Sequence, residues 1–235
     1  MHTEEKLALS GELDRFFGDL GFRLELFESA RRKLDVYLAS EFNVFSYIAP
    51  DENRLSDIIA ELLNPEGKHG QGEVFLREFL KVLRVEPQGH GRCRVVREQA
   101  TAFIPQSQRR IDILVDIDGF GIGIENKPWA GEQPDQLSAY WEYLRARYGD
   151  RCLLVYLSGG GDHPQSIPAE EWERLKGEGK LKVLAYSGAF KEWLVSCYKE
   201  CSAEKVRWFL RDFVDFVEGT FRNQPEESGG EEHGR

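Results

Sequence analysis

The sequence predicts an α/β fold, a mixed central β-sheet flanked by helices, and three observations predict it. Residues 111–124 read as a β-hairpin, in which Ile111, Ile113, Val115 and Ile117 alternate before Asp118-Gly119-Phe120-Gly121, and Ile122 and Ile124 alternate after it. Residues 121–158 read as a β-α-β unit: a strand, a helix over 134–148, and the near-continuous apolar run R-C-L-L-V-Y-L-S of a buried parallel strand. Apolar residues recur at helical spacing on both sides of this centre.

The 235 residues suffice for one sizeable domain with decoration, and 41% hydrophobic with 12% aromatic content fits a packed globule. No apolar run approaches the roughly 18 residues of a membrane span, and no secretory apolar segment follows Met1. Cys93, Cys152, Cys197 and Cys201 form no C-x-x-C pair, which points to buried thiols, a reducing cytoplasm and no structural zinc. The net charge of −10 argues against a simple nucleic-acid coat. Residues 224–235 contribute a net −3 of it, whereas residues 92–110 run the other way, five arginines against Glu98.

The chain opens with helical segments. Leu13, Phe16, Phe17 and Leu20 precede Gly21, and Leu24, Phe27, Ala30, Leu34 and Leu38 follow it. These read as core or partner-packing residues, compatible with a homodimer. Residues 1–50 are expected to form a helical extension packed on the core, with Pro50 at the junction. Residues 51–65 read as a helix burying Leu55, Ile59, Leu62 and Leu63 and stopped by Asn64-Pro65, and His69 as a turn residue before a helix with Phe75, Leu76, Phe79 and Leu83. Residues 93–104 have the length and composition of a strand, followed by a turn over 105–108.

Within the hairpin, alternation places Asp112 on the face opposite the isoleucines, and Glu125 and Lys127 on one face two residues apart. A two-residue loop centred on Asp118-Gly119 pairs Asp112 with Glu125; one centred on Gly119-Phe120 pairs it with Lys127. In both registers the three side chains point the same way, with opposed Cβ atoms about 5 Å apart; an unbulged three-residue loop would split them. Adjacent carboxylates repel unless a cation or proton sits between them. Acid oxygens alone suit a hard ion such as Mg²⁺, and a lysine beside them suits phosphodiester hydrolysis, where it orients water or offsets developing charge. The bland alternative is a solvated ion-pair patch.

Pro128 ends pairing, and Pro134 suits the first turn of the helix carrying Gln136, Leu137, Tyr140, Trp141 and Leu144. Residues 158–164 are Gly-rich but lack Gly-Lys-Ser/Thr, so they read as a loop rather than a phosphate cradle. Residues 181–186 form a last strand. Two apolar stripes, residues 190–201 and 206–217, form closing helices, and the tail from Gln224 reads as disordered.

Asp112, then Glu125-Asn126-Lys127, then Gln136-Leu137-x-x-Tyr140 resembles the PD-(D/E)XK nuclease superfamily, in particular a bacterial branch with an I-D…I-E-N-K…Q-L-x-x-Y core. Ile111 stands where the eponymous motif has proline. The amino-terminal part is similar too: the family's E-x-x-H-S-D falls on Glu52, Leu55, Ser56 and Asp57, with leucine in place of histidine.

This resemblance implies a restriction-endonuclease-like core over residues 51–222 and metal-dependent cleavage of nucleic acid, DNA rather than RNA. It implies Asp112 and Glu125 as ligands to Mg²⁺ (or Mn²⁺ in substitution), with the Asn126 carbonyl and Glu52 completing the set, and Lys127 as the catalytic amine. Glu61 competes with Glu52 for that place. Gln136, Tyr140, Arg110 and Ser56 are expected to face phosphate or the metal shell. A reading of another class is a nuclease fold kept as a silent binding scaffold, for which an intact Asp/Glu/Lys trio has no use.

Overall fold

The computed structural model describes residues 2–87, 92–100, 109–129, 135–161 and 164–222. The chain divides into two compact units, Met1–Phe42 and Asn43–Arg235. The first is one helix, α1 (His2–Leu38). It runs unbroken through Gly21, because a lone glycine costs a helix only about 1 kcal/mol relative to alanine.

The second unit begins with α2 (Val44–Ile48), α3 (Glu52–Leu63) and α4 (Val74–Leu83). It continues through β1 (Cys93–Ala100), β2 (Arg110–Ile117), β3 (Phe120–Lys127), α5 (Gln136–Tyr148) and β4 (Cys152–Ser158). It closes with α6 (Ala169–Gly177), β5 (Leu181–Ala185), a kinked turn over Tyr186–Phe190, α7 (Lys191–Glu200) and α8 (Glu204–Phe221). Its start at Asn43 falls seven residues before Pro50, the expected junction. The reason is packing on the distant helix α8: the Asn43 side chain donates to the Asp212 carbonyl at 2.8 Å, and Phe45 stacks on Phe213 with centroids 4.8 Å apart.

The five strands lie in the order β1-β2-β3-β4-β5, the first three antiparallel and the last three parallel. The hairpin pairs Ile117 with Phe120, so its loop is Asp118-Gly119, the first of the two registers open from sequence. Both loop residues have positive φ, 48° and 75°, the requirement of a type I′ turn whose twist matches its strands. The parallel half follows from burial: every residue of β4 is buried, between β3 and β5 and between two helical layers.

One core unites Ile113, Val115, Ile122, Ile124 and Val155 with the buried faces of α3, α4, α7 and α8. The other joins Leu114, Leu154 and Tyr156 to Leu137, Tyr140 and Leu144 of α5 and to Trp172 and Leu175 of α6. Helix α6 has no counterpart in the sequence reading; two buried side chains in nine residues make too thin a stripe. The expected strand over 93–104 is present as β1 through Ala100, and residues 101–108, Pro134 and the tail lie outside the described residues. The four cysteines are unbridged thiols. Among the described residues no helix is long and apolar enough to cross a membrane.

Helix α5 lies so close to β3 that a Cβ on Gly121 would meet the Tyr148 ring at 2.3 Å, and one on Gly123 would meet Leu144 at 2.9 Å. The Tyr148 hydroxyl is tied to Asp116 at 3.0 Å, so the ring has little room to yield. Gly121→Ala should therefore destabilise by about 1–3 kcal/mol, as overpacked cores do, lowering Tm by roughly 3–10 °C in thermal denaturation. A variant melting with the wild type would mean that α5 sits further from the sheet.

Candidate active site

The ladder around Asp112 is interrupted on both sides. Glu98, its counterpart on β1, has φ of +48° and drops out of a pairing that runs Arg97↔Ile113 and then Gln99↔Ile111. On the other side the β2–β3 ladder ends at Ile113↔Ile124, one step short of Asp112 and Glu125. The freed Asn126 N–H donates instead to the Asp112 carboxylate Oδ2 at 2.8 Å. In an extended strand the N–H and C=O of one residue leave on the same side, so the Asn126 carbonyl faces this gap as well. The disruption also corrects the simple alternation: Ile111 packs with Leu114 and Tyr140, not with Ile113 and Val115.

The described structure brings Asp112, Glu125, Lys127 and Glu52 together. Lys127 Nζ lies 2.7 Å from Glu52 Oε1, on the first turn of α3, and 3.0 Å from Glu125 Oε1. Glu125 is 1% exposed, and neither of its oxygens has a partner in hydrogen-bond geometry. The Lys127 contact is thus an ion pair at close range without hydrogen-bond alignment. Burial pushes the Glu125 carboxyl well above the usual carboxylate range; Asp112 adds to this, and Lys127 opposes it. Burial also raises Asp112, against the Asn126 N–H and Lys127. For Lys127 burial acts to lower the pKa, but Glu125 and Glu52 outweigh it and leave the ammonium raised.

Behind this group the Asn126 side chain is fully engaged. Its amide donates to Ser56 Oγ at 2.9 Å and to the Glu52 carbonyl at 3.3 Å, and its oxygen accepts from the Tyr186 hydroxyl at 2.8 Å. Ser56, expected to face substrate, is instead fully buried and donates to the Glu52 carbonyl at 2.9 Å, so it ties α3 to β3. Gln136 and Tyr140 are buried too: Gln136 donates to the Tyr140 hydroxyl at 2.9 Å, and that hydroxyl donates to the Arg110 carbonyl at 2.7 Å. Burial raises the Tyr140 phenol, with Glu125 adding to the effect, which places the tyrosine within reach of the site's charge. The Arg110 guanidinium is exposed and pairs with Glu98 at 2.7 Å.

Glu61 is elsewhere engaged, its carboxylate accepting the Lys68 N–H, which leaves Glu52 as the acid of α3 at this site. His69 holds the following turn, with ring nitrogens at 2.8 Å from the Asn64 carbonyl and 3.0 Å from the Gln71 N–H. Leu55 is completely buried in the core, so the leucine standing for histidine fills interior space.

Two residues of this assembly escaped the sequence reading. Arg97, counted there only as basic charge, bonds Asp57 at 2.9 Å, the Asn53 carbonyl at 3.3 Å and the Asp112 carbonyl, clamping α3 to the interrupted strand. Tyr186, completely buried, locks Asn126. The only sequence signal for Arg97 was its place among five arginines; Tyr186 left none.

The donor set fits a hard divalent cation. The Glu125 carboxylate, buried without a hydrogen bond opposite Asp112 and a strand carbonyl, forms a negative recess in which Lys127 is the nearby cation and is shared with Glu52. Among the described residues no three His, Cys, Asp or Glu side chains converge as a closed metal cluster. A two-carboxylate set matches Mg²⁺, which dehydrates reluctantly and keeps waters or phosphate oxygens in its shell.

A mixed five-stranded sheet between helical layers, carrying acids where two strands part, defines a restriction-endonuclease-like α/β protein. The chain belongs to the PD-(D/E)XK nuclease superfamily, whose family model matches residues 42–215. Members of this superfamily are generally nucleases and typically use divalent metal ions. Comparison with curated proteins and with solved structures returns no match.

Proposed function

We propose that the protein is a Mg²⁺-dependent nuclease that hydrolyses nucleic-acid phosphodiesters, DNA rather than RNA. The observation that carries this reading is the Glu125 carboxylate, buried without a hydrogen-bond partner opposite Asp112 and 3.0 Å from Lys127 Nζ. Asp112, Glu125 and the Asn126 carbonyl would hold the ion, which when bound supplies Lewis acidity to a phosphoryl oxygen and acidifies a water. Lys127 orients the attacking water and offsets charge that builds on the phosphate. Glu52 acts through Lys127, fixing its ammonium by the 2.7 Å contact. Arg110, the exposed cation of the strand that carries Asp112, contacts phosphate. Tyr140 and Gln136 brace the Arg110 backbone.

The test is incubation of the pure protein with plasmid, linear DNA and RNA in Mg²⁺, Mn²⁺ or EDTA. Cleavage of DNA in either metal and its loss in EDTA are expected. Binding without cleavage in every metal would establish the scaffold reading instead, and preferential cleavage of RNA would reverse the substrate assignment.

A further inference from the structure

Helix α1 carries a seam that the fold of the second unit does not explain. From Leu13 to the last residue of the helix, Leu38, seam side chains are separated by alternating steps of four and three residues. Leu13, Leu20, Phe27 and Leu34 occupy one heptad position. Phe17, Leu24, Arg31 and Leu38 occupy the other, four residues after each member of the first set. This is the a/d spacing of a coiled coil sustained over four repeats, with the second set at a and the first at d. The seven apolar members are 40% to 65% exposed. A soluble chain rarely leaves so continuous an apolar strip uncovered.

We propose that a second copy of this chain covers the strip, through a parallel two-stranded coiled coil of residues 13–38. Self-complementarity is the first reason, since a strict 3.5-residue repeat presents the same seam to an identical helix. Area is the second. At these exposures each seam residue leaves roughly 100 Å² open, against 150–250 Å² for a whole aromatic side chain. Burying most of that on both helices exceeds the roughly 1,000 Å² a specific interface needs.

Charge is the third reason, and it sets the direction. Arg23 falls at g and Glu28 at e, five residues on, the relation that meets across a parallel dimer. An antiparallel pair would instead set the e positions Asp14, Glu28 and Asp35 against each other. Within one helix Arg23 pairs with Asp19 at 2.8 Å and Glu28 with Arg32 at 3.8 Å, both exposed contacts that leave the rim pair accessible. Arg31 is the lone charge at a seam position, paired in its own chain with Glu41. A single polar residue at a costs stability and fixes the register.

Sedimentation velocity of the full chain tests this. A species of twice the chain mass is expected at tens of micromolar, and Leu20→Asp with Phe27→Asp should return it to monomer. Because that variant can simply melt α1, Arg31→Leu supplies the opposite sign and should tighten self-association. Arg23→Glu should weaken it by roughly tenfold, two symmetry-related rim pairs becoming repulsive, and Glu28→Arg added to it should restore it. A wild-type monomer would overturn the proposal, whether the strip is then covered by the chain's own second unit or by another protein. So would a dimer indifferent to Leu20, Phe27 and Arg31, and failure of the charge swap would overturn the parallel arrangement. None of these readouts depends on nuclease activity.

Discussion

Glu125→Gln is expected to abolish Mg²⁺-dependent cleavage while raising the melting temperature of the metal-free protein at neutral pH. The two effects have one cause. Glu125 is buried beside Asp112 without a hydrogen bond, so its ionised form is disfavoured and its folded pKa lies well above the ordinary 4.5. A carboxyl with a raised folded pKa contributes its stability fully below the unfolded value and loses it as pH rises through the folded one. At neutral pH the native protein carries this penalty, which glutamine removes; below about pH 4.5 the advantage of the variant should vanish. Each 1 kcal/mol recovered corresponds to roughly 2–4 °C for a chain of this size.

Magnesium should invert the comparison, since a ligand that binds only the native state stabilises it in proportion to its saturation. The wild type should gain on adding Mg²⁺, and the glutamine variant should gain little. Asp112→Asn should behave alike in cleavage and in metal response, because its amide oxygen can still accept the Asn126 N–H that Oδ2 accepts now. Thermal scans from pH 4 to 8, with EDTA and with Mg²⁺, decide the matter. Equal Mg²⁺ stabilisation of the wild type and both variants would show that no ion is held between these acids.

The trio was legible because it depends on local rules: alternation along two strands and a two-residue turn at Asp118-Gly119. What the sequence could not convey is where the strands separate. The loss of pairing at Asp112 depends on Glu98, on a strand that precedes it, and on Arg97 reaching α3, contacts spanning fifteen to forty-four positions. Ile111 misled for that reason, since regular alternation ends where the ladder ends. Ser56 misled for another: helical spacing put it beside Glu52, but the same spacing cannot say which of two neighbours faces the sheet. The continuity of α1 across Gly21 shows the limit of a punctuation rule. Glycine weakens a helix without stopping one, and only its neighbours decide.

Lys127→Arg should lower kcat by roughly 10²-fold or more, the scale of removing one preorganised electrostatic group, while leaving affinity for DNA in Ca²⁺ nearly unchanged. The structure gives the reason that this substitution is not conservative. The ammonium occupies a narrow place, 2.7 Å from Glu52 and 3.0 Å from Glu125, with the side chain only 10% exposed. A guanidinium is wider and planar, and its donors fork away from the point the lysine nitrogen occupies. It can keep the charge that attracts phosphate but not the geometry that aims a water. Ca²⁺, an oxygen-seeking ion with looser coordination, is expected to support binding with poor turnover. Single-turnover cleavage in Mg²⁺, set beside equilibrium binding in Ca²⁺, therefore separates the two roles. If Lys127 serves only to neutralise Glu125, arginine should serve as well, and a variant that cuts at the wild-type rate would remove the lysine from the chemistry and leave it a structural counter-ion. If both rate and binding fall together, the pair with Glu52 holds the local fold, and the far-ultraviolet circular dichroism of the variant should change with them. Loss of rate alone, with unchanged fold and affinity, is the result that the placement of Nζ between two acids predicts.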